Sequence, residues 1–176
     1  MKKSYFAVAL AILISCFLTV LEAKAQTKKP KPTPTPTEKL KVAKEGVGIE
    51  NLRVGNSTMA DVVKKFGKNY QTKKFGAYST AISYPKLGLA FYMCQEDKRK
   101  QIFDIEIRAP YKVKTGKGII LGKSTLQDIE KTYGKSKDGL EYRGVSFYYA
   151  NFKGKKTVTV IDIVENSGIR QCEENK

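Results

Sequence analysis

"GNSTMADVVKKFGK", Gly55–Lys68, is written a second time as "GKSTLQDIEKTYGK", Gly122–Lys135, with 7 of 14 aligned positions identical and no gap. In the first copy, Thr58-x-x-Asp61 has the form of a capping box, in which a hydroxyl and a carboxylate satisfy the free N–H groups at a helix start. Met59, Val62, Val63 and Phe66 recur at i, i+3, i+4 and i+7, one face of a helix. Gly67 suits a helix stop. The second copy repeats the pattern with Thr125-x-x-Asp128, the stripe Leu126, Ile129, Tyr133, and Gly134. A helix this short is marginal alone in water and needs a surface to lie on.

Alternating apolar segments after each copy are candidates for that surface. "LGLAFYMC" (87–94) aligns with "RGVSFYYA" (143–150), and "QIFDIEI" (101–107) aligns with "TVIDIVE" (159–165). The polar stretches "QEDKRK" (95–100) and "NFKGKK" (151–156) read as hairpins between them. "AISYP" (81–85) and "GLEYR" (139–143) add one strand each. The expected fold is α+β: two tandem repeats, each a short capped helix followed by an antiparallel β-meander of about three strands. Repeat 1 is expected over 46–114, and repeat 2 with a C-terminal tail over 115–176.

The segments "LRVGNSTMADVVKKFGK" and "IILGKSTLQDIEKTYGK" resemble the "lGmt..dV...lG.P" signature of two families. These are the SmpA/OmlA-type outer-membrane assembly lipoproteins, with one unit, and the beta-lactamase inhibitor protein family, with two. The tandem arrangement is more similar to the inhibitor family. The resemblance implies a non-enzymatic protein that binds another protein. This chain departs from the pattern: Lys68 and Lys135 stand where a Pro is usual, and there is no Trp.

Residues 1–25 read as a cleaved secretory signal. Lys2 and Lys3 precede the apolar run "YFAVALAILISCFLTVL", Tyr5–Leu21, and "AKA" at Ala23–Ala25 is a small-x-small cleavage site. "LISC" resembles the bacterial lipobox, which would place a lipid on Cys16 and attach the chain to a membrane; the apolar residues continuing past Cys16 favour a cysteine that fills the run. Residues 26–45, with "KPKPTPTPT", are expected to form an extended, disordered linker. A periplasmic or secreted location follows from the signal.

The formal charge is +16. Such a balance favours acidic partners such as anionic polysaccharide, lipid headgroups or acidic proteins, and export disfavours nucleic acid. The chain has no His, which removes Ser-His-Asp and Cys-His catalysis and His-ligated metal sites. "GKGIILGKST" (116–125) ends like a phosphate-binding loop, but Lys117 stands where its first Gly belongs. No catalytic residue, cofactor or metal is expected. Cys94 and Cys172 survive removal of the signal and read as a disulfide.

Alternation puts Leu89, Phe91, Phe103, Ile105, Val145, Phe147, Ile161 and Ile163 in the core under the helices. The opposite sheet face then carries Tyr92, Asp104, Arg108, Tyr148, Val158, Val160, Asp162 and Val164. Asp104 and Asp162 are mid-strand acids between apolar neighbours, either a solvated strand face or an acidic spot in a binding surface. The valines are either partner-binding or a seam between repeats. The expected function is an exported, non-enzymatic binding module for an envelope or secreted protein, whose identity the sequence does not give. The alternatives are an electrostatic binder of anionic wall polysaccharide and an enzyme of unknown type.

Overall fold

The computed structural model describes residues 39–136, 139–165 and 172. The expected signal peptide, most of the linker and most of the C-terminal tail lie outside the described residues.

Both copies of the opening stretch fold into helices, α1 (Met59–Phe66) and α2 (Leu126–Tyr133). The Thr58 and Thr125 N–H groups donate to Asp61 Oδ2 and Asp128 Oδ2 at 2.9 and 2.7 Å. In α2 the Asp128 N–H also donates back to Thr125 Oγ1 at 3.3 Å, satisfying an end group that the helix leaves free. Gly67 and Gly134 end the helices with positive φ.

The strands depart from the expected arrangement. Of the described residues 47% are in strands and 13% in helices, in two sheets of four and seven strands. The larger sheet contains β4 (Gln71–Phe75), β5 (Ser79–Tyr84), β6 (Leu89–Cys94), β7 (Ile102–Arg108), β9 (Glu141–Tyr142), β10 (Val145–Phe152) and β11 (Lys155–Val164). Its order is β4-β5-β6-β7-β11-β10-β9, antiparallel throughout. β7 pairs with β11 over five residue pairs, so the meander strands after α1 and after α2 make one sheet rather than two.

The smaller sheet, in the order β3-β2-β1-β8, joins β1 (Lys41–Lys44), β2 (Gly48–Ile49), β3 (Leu52–Arg53) and β8 (Val113–Thr115). β1 lies inside the stretch expected to be linker and pairs in parallel with β8, which straddles the expected boundary between repeats at 114/115. The reading as two helix-plus-meander repeats is therefore overturned. Short, isolated pairing segments such as β1 and β8 carry no two-residue periodicity long enough to be seen in sequence. Glu50 and Asn51 form the β2–β3 turn with positive φ. Glu50 takes an ion pair from Lys65 at 3.1 Å, another from Lys41, and a hydrogen bond from the Tyr111 hydroxyl at 2.7 Å. Burial works against the Glu50 charge, but these partners outweigh it and hold the carboxyl down at about 2.

One core lies beneath both helices. Val62 and Ile129 are buried with Phe91, Ile105, Ile107, Val145, Phe147, Ile161 and Ile163 of the large sheet and Ala43, Ile49 and Val113 of the small one. The Phe66 and Phe91 rings lie 5.8 Å apart, and those of Tyr133 and Phe147 lie 5.3 Å apart. Strand register places Phe91 and Phe147 on the same face, so both helices cover that face.

Two β-bulges change which residues share a face. Tyr92 pairs with Asp104 and Met93 with Ile102, so Phe103 is an extra residue. Ile102 joins the main core cluster, and Phe103, expected in the core, is buried at 6% exposure outside that cluster, with its ring 6.4 Å from Tyr92. Tyr148 pairs with Val160 and Tyr149 with Val158, so Thr159 is extra. Val158, expected on the outer face, is 0% exposed and part of the core. A one-residue insertion reverses the alternation beyond it.

Candidate functional site

The face away from the helices is organised in rows across the strands. Tyr148, Val160 and Arg108 are in register on β10, β11 and β7. The next row is Ser146, Asp162, Glu106 and Ala90, and the one after is Val164, Asp104, Tyr92 and Ala81. Seven of the eight expected face residues therefore share this face; Val158 does not.

They are not equally accessible. Tyr148 is 55% exposed and Arg108 is exposed. Tyr92 and Asp104 are half-buried. Val160, Val164 and Asp162 are buried, Asp162 at 7% exposure. The accessible part of this face is the end carrying Tyr148 and Arg108.

Asp104 and Asp162 lie on neighbouring strands, two residue pairs apart along the ladder and so diagonal on one face, with Glu106 beside Asp162. Arg108 is committed to Glu106, donating from Nε at 2.6 Å and from Nη2 at 3.0 Å. The Tyr92 hydroxyl donates to Glu106 as well, at 3.2 Å. One carboxylate oxygen each of Asp104 and Asp162 is buried without a hydrogen-bond partner, as is one of Glu165. Burial, followed by repulsion from Glu106, pushes the Asp104 carboxyl well above the usual carboxylate range. Burial, then Asp104 and Glu106, does the same to Asp162, and Arg108 offsets only part of it. The pair therefore holds protons at pH values where surface aspartates are ionised. Among the described residues no group of three or more acidic or sulfur ligands is placed to hold a metal ion.

Asp61 and Asp128, the other repeated acids, are helix caps whose carboxyls are lowered by hydrogen bonds from Thr58 and Thr125. Cys94, on the same face as Tyr92 by strand alternation, is disulfide-bonded to Cys172 across 78 positions, with Cα atoms 5.3 Å apart. The bond is compatible with an oxidising, exported location. No described helix is long and apolar enough to cross a membrane.

Sequence reasoning missed the distal half of the β10–β11 hairpin, read only as a polar turn. Phe152 and Tyr149 are exposed there, and Phe152 borders an apolar cavity of about 350 Å³ with Leu121, Ala109 and Val158. The signal was present: aromatic residues at 148, 149 and 152 run directly into "KGKK". No family model, curated protein or solved structure matches the chain.

Proposed function

We propose that this protein is an exported, non-enzymatic binding module that captures another protein of the envelope or extracellular space. Its contact surface is the accessible end of the outer sheet face, around Tyr148 and Arg108. The observation that carries the reading is the exposed Tyr148 ring in one row with apolar Val160 and the Glu106-bound Arg108. Tyr and Arg are the residue types that anchor protein interfaces, because each buries flat area while keeping hydrogen-bonding capacity. Export is supported by the signal-like run Tyr5–Leu21 with its Ala23–Ala25 cleavage site, together with the disulfide. The resemblance to the tandem inhibitor family adds the expectation of a protein target.

The test is a photo-crosslinking residue at position 148 in the native envelope, followed by pull-down of the captured partner. Tyr148→Ser with Arg108→Ser should abolish capture and leave the melting temperature within a few degrees. Val160 is left alone because it is buried. Unchanged capture by the double variant overturns the reading. So does turnover of a wall polymer that disappears in Asp104→Asn. Capture that fades in high salt and leaves only anionic polymer on the column points to the polysaccharide alternative.

A further inference from the structure

From the form of the β10–β11 hairpin we infer a second contact surface, one that docks on an anionic lipid bilayer. Among the described strands, residues 151–156 pair only with each other, and all six are exposed. They project past the end of β7, whose last pairing with β11 is Arg108 with Val160. Lys153 and Gly154 make the tight turn, both with positive φ.

The arm has two characters. Phe152 is 59% exposed, at the rim of the apolar cavity it shares with Leu121 and Val158. A second cavity of about 590 Å³ is bordered by Gly154, Lys155 and Lys156 together with Thr125–Gln127. Lys156 lies over the exposed Tyr149 ring, 5.2 Å from its centroid. From Tyr142 to Ile161 there is no Asp or Glu, and Arg143, Lys153, Lys155 and Lys156 carry the charge.

An exposed phenyl ring beside an apolar cavity needs an apolar phase, and a lysine cluster with no ion-pair partner among the described residues needs anions. A bilayer bearing anionic headgroups meets both needs at once: the ring enters the acyl boundary while the ammonium groups stay at the phosphate level. A polysaccharide satisfies the lysines and can lay a sugar face on Phe152, but it offers no apolar phase for the ring to enter. This surface uses residues other than those proposed for protein capture.

The chain contains no Trp, so Phe152→Trp in the full chain is a unique fluorescent reporter. Vesicles of phosphatidylcholine mixed with phosphatidylglycerol should shift its emission to the blue, and brominated acyl chains should quench it; pure phosphatidylcholine should do neither. In that background Lys155→Gln with Lys156→Gln should weaken the vesicle response about tenfold or more, as expected for losing two cations at a charged surface. Phe75→Trp, beside Lys73 on β4, is the control and should stay silent. Tyr148→Ser with Arg108→Ser should leave the response intact. Asn151→Trp replaces the reporter if Phe152→Trp fails to fold. A silent reporter at 152 overturns the inference. An equal response from Phe75→Trp also overturns it, because net charge or the run Tyr5–Leu21 would then account for attachment. Loss of both lysines without effect overturns it as well.

Discussion

Asp104 and Asp162 show how the surroundings of a residue decide its chemistry. Each is an ordinary acid in a strand, yet each has a buried oxygen without a partner and a carboxyl raised by burial and by its acidic neighbours. Their folded-state affinity for protons exceeds that of the unfolded chain, so the folded state gains from them in acid. That gain is lost as pH rises from about 4, the ordinary carboxylate value, through the raised folded values. We expect urea unfolding to show this pair's contribution falling between mildly acidic and mildly alkaline pH. Asp162→Asn removes one charge and supplies an amide donor for its neighbour. It should stabilise the protein at pH 8 by about 1 kcal/mol, with less gain at pH 5. A destabilised variant at pH 8 would show that the pair is held ionised by groups that compensate it.

Among the elements, the helices were legible and the sheet register was not. Thr58, Asp61, Thr125 and Asp128 announce their helices because a capping box is made within four residues. Thr125→Ala should cost about 1 kcal/mol, read as a lower urea midpoint with unchanged slope. The cost should exceed that of Thr58→Ala, since both hydroxyls donate to their aspartate but Thr125 Oγ1 also accepts the Asp128 N–H at 3.3 Å. Alternation correctly assigned Leu89, Phe91, Ile105, Val145, Phe147, Ile161 and Ile163 to the core. It failed at Val158 and missed Ile102 beside the buried Phe103, where a bulge inserts one residue opposite a partner strand. A bulge is set by how two strands meet, so neither strand's own sequence declares it.

In the whole molecule, β7–β11 pairing and the disulfide bring distant parts of the chain together. Cys94 and Cys172 are 78 positions apart, so reduction or the pair Cys94→Ser and Cys172→Ser frees a long loop in the unfolded chain. Chain entropy puts the loss at about 4 kcal/mol as an upper figure, and a fall of about 2–4 kcal/mol in unfolding free energy is expected. Unchanged stability after reduction would show that the tail is held by other contacts. The same assembly concentrates three carboxyls, Asp104, Glu106 and Asp162, on one face of a chain whose formal charge is +16.

What the sequence determined by itself is local: two capped helices, the strands that alternate without interruption, and a cysteine pair that the fold joins. These depend on neighbours within a few residues, where propensity and periodicity act. Only the tertiary structure decided that the strands form one seven-stranded sheet, and that residues 41–44 belong to a second sheet with β8. It also decided that Val160 and Asp162 are buried while Tyr148 and Phe152 reach solvent. Pairing partners, bulges and exposure depend on segments far apart in the chain meeting in space. Accessibility belongs to that assembled surface rather than to any one stretch of residues.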